Sequence, residues 1–113
     1  MYSVEQSFVD WLADRNYAAS TYPTEEGTEF VTVERTSGGV ADMLDHPTVA
    51  IQTWAQTAPR AEEMAIAIRN ALFYSRPEGV AHIQVDGLYP FWDSETRLPR
   101  YQLVLDCTAQ LTD

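Results

Sequence analysis

The chain has 113 residues, 45% of them hydrophobic and 12% aromatic, enough for one domain with a real core and too few for two. Seventeen acidic against seven basic residues leave a formal net charge of -10, which argues against a surface built to neutralise a phosphate backbone. No apolar run approaches the ~20 residues of a membrane span, the first residues lack the basic and apolar regions of a signal peptide, and a single cysteine, Cys107, rules out an internal disulfide. The expected setting is a cytoplasm, or a particle assembled in one.

In chain order, a first helix is expected from about Val4 to Asn16. Ser3 and Gln6 form a capping-box pattern, and Val4, Phe8, Trp11 and Leu12 make a compact apolar stripe. Tyr17 to Gly27 has no period and reads as a surface connection. Thr28 to Thr36 alternates as a strand, with Val31 and Val33 on one face and Phe30, Thr32 and Glu34 on the other. The next stretch, Ser37 to Pro47, is too long for a tight hairpin turn and is either a small helical excursion or a projecting loop carrying Val40, Met43 and Leu44.

Thr48 to Ala55 reads as a second strand, with Val49, Ile51, Thr53 and Ala55 opposite Ala50, Gln52 and Trp54. A long helix then starts on four agreeing signals. Thr57 is a good N-cap, Pro59 lies in the first turn, and Glu62 and Glu63 lie near the positive end of the helix dipole. Ala61, Met64, Ala65, Ile68, Ala71 and Leu72 fall on one stripe that should cover the sheet, while Glu62, Ile66, Arg69 and Phe73 point the other way. Arg76-Pro77-Glu78-Gly79 stops the helix.

Val80 to Asp86 is the third expected strand, with Ala81, Ile83 and Val85 inward and Val80, His82, Gln84 and Asp86 outward. Gly87 to Pro99 is longer than a hairpin needs and rich in aromatics, and Arg100 to Leu111 closes the chain as a strand whose Tyr101, Leu103, Leu105, Cys107 and Ala109 face inward. The order α-β-β-α-β-β predicts one α+β domain over residues 1–113, a mostly antiparallel four-stranded sheet with two helices packed on one face.

No pattern for bond chemistry is present, so neither catalysis nor a cofactor is expected. Asp42, Asp45 and His46 are close in sequence but match no metal-ligand spacing and also read as a turn. His82 alternates with polar residues on a strand, and Cys107 in an apolar strand reads as a buried thiol without a partner signature. What remains is surface. Ile66, Arg69 and Phe73 on the outer side of the long helix are either scattered exposed residues or a subunit seam. Tyr89, Phe91 and Trp92 either cap the domain's own core or face a partner, and Arg97 and Arg100 flank them where an acidic patch of an identical neighbour could pair in a head-to-tail ring.

Several short segments, in order, carry a resemblance: Val4-Glu5, Trp11-Leu12, Phe30-Val31-Thr32-Val33-Glu34-Arg35-Thr36 with Gly38-Gly39, Asp45-His46-Pro47, Ile51-Gln52-Thr53-Trp54-Ala55, Ala61-Glu62-Glu63-Met64-Ala65 and Pro99-Arg100-Tyr101-Gln102. Together they resemble the tail terminator, or tail completion, proteins of long-tailed phages with non-contractile tails. Ser37 departs from the expected form by lengthening the turn between Thr36 and the two glycines. The resemblance implies a small α+β fold and a hexameric ring on the head-proximal end of the tail tube. Its partners would be identical copies, the tail tube protein and the head-tail connector protein, in the virion, with no membrane and no direct grip on nucleic acid. A head-completion or neck ring protein is the nearest alternative. An acidic DNA-mimic inhibitor is a different class, which would need its carboxylates clustered on one face instead of spread along the chain.

Overall fold

The computed structural model describes residues 3–23, 29–91 and 98–111. Its elements are α1 (Val4–Ala13), β1 (Ala19–Ser20), β2 (Phe30–Ala41), β3 (Leu44–Trp54), α2 (Ala58–Leu72), β4 (Val80–Pro90) and β5 (Arg100–Ala109). The sheet has five strands in the order β1-β2-β3-β5-β4. The α+β class is as expected, but β1 was not anticipated and pairs with β2 in parallel, Ala19 opposite Val31 and Ser20 opposite Thr32, so the sheet is mixed.

Both helix starts follow from their caps. The Ser3 hydroxyl accepts from the Gln6 N–H at 3.3 Å, and the Thr57 hydroxyl accepts from the Arg60 N–H at 3.3 Å, each satisfying a donor that the first helical turn leaves open. The Gln6 Nε2 amide also donates to Asp10 Oδ1 at 2.8 Å, one turn along α1. Beyond Ala13, Asn16 takes a left-handed φ of 69°, and the Asn16 and Tyr17 N–H groups donate back to the Ala13 and Leu12 carbonyls.

The core lies between both helices and one sheet face. Val4, Phe8, Trp11 and Leu12 of α1 and Ala61, Met64, Ile68 and Leu72 of α2 join Val31, Val33, Val49, Ile51, Leu103, Leu105 and Cys107 in one cluster. Each fully buried aliphatic or aromatic side chain here contributes roughly 1.5–3 kcal/mol relative to exposure. Trp11 Nε1 also donates to Ser75 Oγ at 3.2 Å, tying α1 to the segment after α2.

Three segments differ from the sequence reading. Ser37 to Pro47 is neither helical nor a loop: β2 and β3 stay paired to Ala41 opposite Leu44, across a register shift between Arg35 and Ser37. The turn is only Asp42-Met43, both at positive φ (53° and 63°), the mirror-image geometry that matches strand twist. Glycine or asparagine favours it, whereas a methionine there costs roughly 1 kcal/mol. In β4, a register shift between Val80 and His82 exchanges the facing of the first two residues, so Val80 is buried and Ala81 exposed, while Ile83 and Val85 pack against the core and His82, Gln84 and Asp86 are exposed as expected. Finally, β4 runs on through Gly87, Leu88 and Tyr89 to Pro90, so the first four residues of the expected aromatic loop are strand.

Candidate functional site

The face of the sheet away from the helices carries a row of hydrogen-bonded side chains. Thr32, Gln52, Gln102 and Tyr89 are successive register partners across β2, β3, β5 and β4. The Thr32 hydroxyl donates to Gln52 Oε1 at 2.6 Å, Gln52 Nε2 donates to Gln102 Oε1 at 2.8 Å, and Gln102 Nε2 donates to the Tyr89 hydroxyl oxygen at 2.8 Å. Trp54 Nε1 feeds the row by donating to Thr32 Oγ1 at 3.1 Å. Each link fixes the amide orientation of the next, which leaves the Tyr89 hydroxyl proton to be donated outward.

Beside this row the Trp54 ring stacks on Phe30, centroids 5.2 Å apart, and the Arg100 guanidinium carbon lies 4.6 Å from the Trp54 centroid and 4.4 Å from that of Phe91. Arg100 Nε donates to the Phe91 carbonyl at 2.6 Å. Trp54, Phe91 and Arg100 line a cleft of about 390 Å³ with Thr32, Gln52 and Gln102, and Glu34 and Thr36 lie on its β2 side. Sequence reasoning placed Arg100 beside the aromatics but not Trp54 between them, because the contact joins β3 to β5 and leaves no local pattern.

The hairpin end is the second surface. Val40, Met43 and Leu44 are 66%, 82% and 40% exposed. Behind them Arg35 grips Asp45 with two hydrogen bonds of 2.6 and 2.7 Å, and these bonds hold the Asp45 carboxyl below its usual pKa against the opposing effect of burial. Asp45 is thus a buried anion whose charge is met by Arg35.

The third surface is the C-terminal end of α2. Phe73 is 66% exposed and Tyr74, which the helical stripe did not single out, is 92% exposed. Ile66 and Arg69 are half-buried, and the Arg69 guanidinium donates to Asn70 Oδ1. Trp92 and Arg97 lie outside the described residues. The structure brings Tyr89, Phe91 and Arg100 together on the open sheet face; Val40, Met43 and Leu44 gather at the hairpin end, and Phe73 stands apart at the end of α2.

Among the described residues, no group of three or more His, Cys, Asp or Glu side chains is placed to hold a metal ion, and no helix is long and apolar enough to cross a membrane. Burial pushes the Cys107 thiol up to about 12, so it is neutral and a poor nucleophile at neutral pH. No protein-family model matches the chain, and no curated protein matches it.

Proposed function

We propose that this chain is a ring-forming tail terminator of a long-tailed phage, which caps the head-proximal end of the tail tube, ends its polymerisation and offers a surface to the head connector. The proposal starts from the resemblance of the ordered segments. The structural observation that supports it is the presence of three separate exposed apolar surfaces on one small domain: Val40, Met43 and Leu44 at the hairpin end, Tyr89 and Phe91 on the open sheet face, and Phe73 and Tyr74 beyond α2. A member of a closed head-to-tail ring needs two different lateral surfaces, and a ring seated on a tube needs at least one more along the axis. An isolated monomer needs none of them.

The mechanism requires no bond chemistry. A ring that matches the last tube layer on one side, and does not reproduce that layer on the other, denies the next tube subunit its docking surface. The acidic balance suits such a role, because the partners are proteins and DNA passing the ring is repelled instead of held.

The test is the addition of purified protein to tail tubes assembled without a terminator. The expected result is tubes of arrested length, each with a ring at one end, and a solution mass near six times 12.8 kDa for the assembled ring. Tubes that keep growing and carry no bound protein would overturn the proposal; binding to DNA-filled heads instead would favour the neck-protein alternative.

A further inference from the structure

Six arginines lie among the described residues of this acidic chain, and four of them are engaged within it. Arg35 and Arg60 pair with carboxylates, Arg15 lies over the Trp11 ring and donates to the Trp11 carbonyl, and Arg100 is held against Trp54 and Phe91. Arg69 and Arg76 differ. Arg69 donates through Nε and Nη2 to the neutral Asn70 amide, Arg76 is exposed, and neither meets a carboxylate among the described residues. Between them in sequence stand Phe73 and Tyr74, 66% and 92% exposed, so the end of α2 carries two bare rings and two positive charges that no described carboxylate meets. The Asp42-Met43 turn is opposite in charge and also apolar. Met43 is 82% exposed at a left-handed φ of 63°, neither covered by its own chain nor suited to its backbone. Val40 and Leu44 widen the apolar tip, and exposed Asp42 adds a carboxylate that makes no ion pair among the described residues. The strand β5 pairs with β3 no farther along than Asp45, opposite Ala109, so the turn projects past the end of that pairing. Within one chain, turn and α2 end leave each other exposed.

We infer that the Asp42-Met43 turn of one copy docks on the Phe73-Tyr74 end of α2 in a second copy of this chain, with Asp42 set against Arg69 and Arg76. This rests on the ring-forming reading above and names one of its lateral contacts. A methionine thioether packs well on aromatic rings, which Phe73 and Tyr74 supply. Charge selects the pairing. Two turns face to face would set Asp42 against Asp42, and two α2 ends would set arginines against arginines. Turn on α2 end brings opposite charges together. Because these are different patches, the contact is heterologous: each copy gives a turn to one neighbour and receives one from another, closing into a ring when the rotation allows. Patches of a few hundred Å² each hold a single pair weakly, so association rises with concentration.

A charge swap tests both ends of the contact at once. Asp42→Arg in one protein, and Arg69→Glu with Arg76→Glu in another, should each weaken self-association at least about tenfold by light scattering over concentration, because each sets like charges together. Thermal midpoints check that both variants fold. Mixed in equal amounts, the two proteins should associate again, since the reversed turn then meets the reversed α2 end and the unaltered turn meets the unaltered one. A folded mixture that stays apart, variants that associate like the wild type, or a wild type that is monomeric at every concentration would overturn the inference. The wild type alone supplies an independent measurement. Dilute peroxide converts an exposed thioether to the sulfoxide, and this reaction at Met43 should slow several-fold as concentration rises into the associated range, while Met64, 3% exposed, reacts slowly throughout. An unchanged rate at Met43 would overturn it. Charge-swapped mixtures that assemble, from a protein that leaves tail tubes growing, would keep the contact and sink the terminator proposal; tubes capped as well by each charge variant as by the wild type would do the reverse.

Discussion

Gln52 and Gln102, register partners on β3 and β5, share a hydrogen bond of 2.8 Å that joins the two halves of the open-face row. Gln52 is 7% exposed and accepts from Thr32 on its other side, so its amide is held by both neighbours in one orientation. Gln52→Leu should therefore cost about 1–3 kcal/mol, because it strands the Thr32 hydroxyl and one face of Gln102 without removing either. Gln102→Leu combined with Gln52→Leu should recover part of that loss, because the unmet Gln102 acceptor is removed and its other partner, the Tyr89 hydroxyl, reaches solvent. Urea unfolding of the three proteins would measure it. A double variant no more stable than Gln52→Leu alone would show that the row does not act as a unit.

The Arg35–Asp45 pair predicts a pH dependence. Asp45 has a carboxyl held below its ordinary value by the two Arg35 hydrogen bonds, so the unfolded chain binds its proton at higher pH than the folded one. Its contribution is complete above about pH 4, the unfolded value, and is lost as pH falls through the folded one. At pH 7 Asp45→Asn should destabilise by roughly 1–3 kcal/mol, less than for a fully buried pair because Arg35 reaches solvent. The gap between variant and wild type should narrow steadily as pH is lowered below about 4, as read by denaturant midpoints across that range.

Cys107 gives the opposite slope. Burial is the larger cause of its raised value, with the Asp106 charge adding to it, so the folded state keeps the thiol neutral while the unfolded chain ionises near pH 8.5. Stability from this group is full below about pH 8.5 and declines as pH rises toward about 12. Thiol reagents at pH 8 should accordingly modify the native protein no faster than its unfolding rate. Rapid labelling of the folded protein would contradict the buried position.

The parts of the fold legible in the sequence were those with long, clean periods and caps. Both helices, β3 and β5 declared themselves by spacing, by Ser3 and Thr57, and by strict alternation from Tyr101 to Ala109. What misled were glycines and shifts of register. Ser37-Gly38-Gly39 and Pro47 look like breakers, yet the exposed half of β2 tolerates the first three, and Pro47, buried on β3, falls where the β3–β5 pairing skips from Asp45 to Thr48. The displaced pairing at Val80 to His82 exchanged the faces of Val80 and Ala81 alone, and the two-residue β1 is too short to carry a period. The open-face row joins residues 20, 50 and 13 positions apart, so no local pattern announces it. The exposed apolar residues at 40, 43, 44 and 73 follow from pattern alone, whereas Tyr74 lies just past Leu72, where the helical wheel ceases to describe the chain.

The two glycines of the hairpin should separate cleanly. Gly38 has a φ of 116°, and a Cβ there would collide with the His46 carbonyl oxygen and sit 2.7 Å from Pro47 Cα, both backbone atoms of the paired strand that cannot swing aside. Gly38→Ala should thus force the β2–β3 pairing apart and cost roughly 2–4 kcal/mol, at the upper end of single substitutions. Gly39 has ordinary φ and nothing within 4 Å of an added Cβ, so Gly39→Ala removes unfolded-state freedom without a clash and should be neutral or stabilising by up to about 1 kcal/mol. Thermal midpoints of the two variants decide the matter, and hydrogen exchange at Val40 and Ala41 localises it. Equal loss in both would mean that glycine is needed for the hairpin's flexibility, whereas loss at Gly38 alone ties the apolar turn to one close approach between two strands, with Met43 held where that approach aims it.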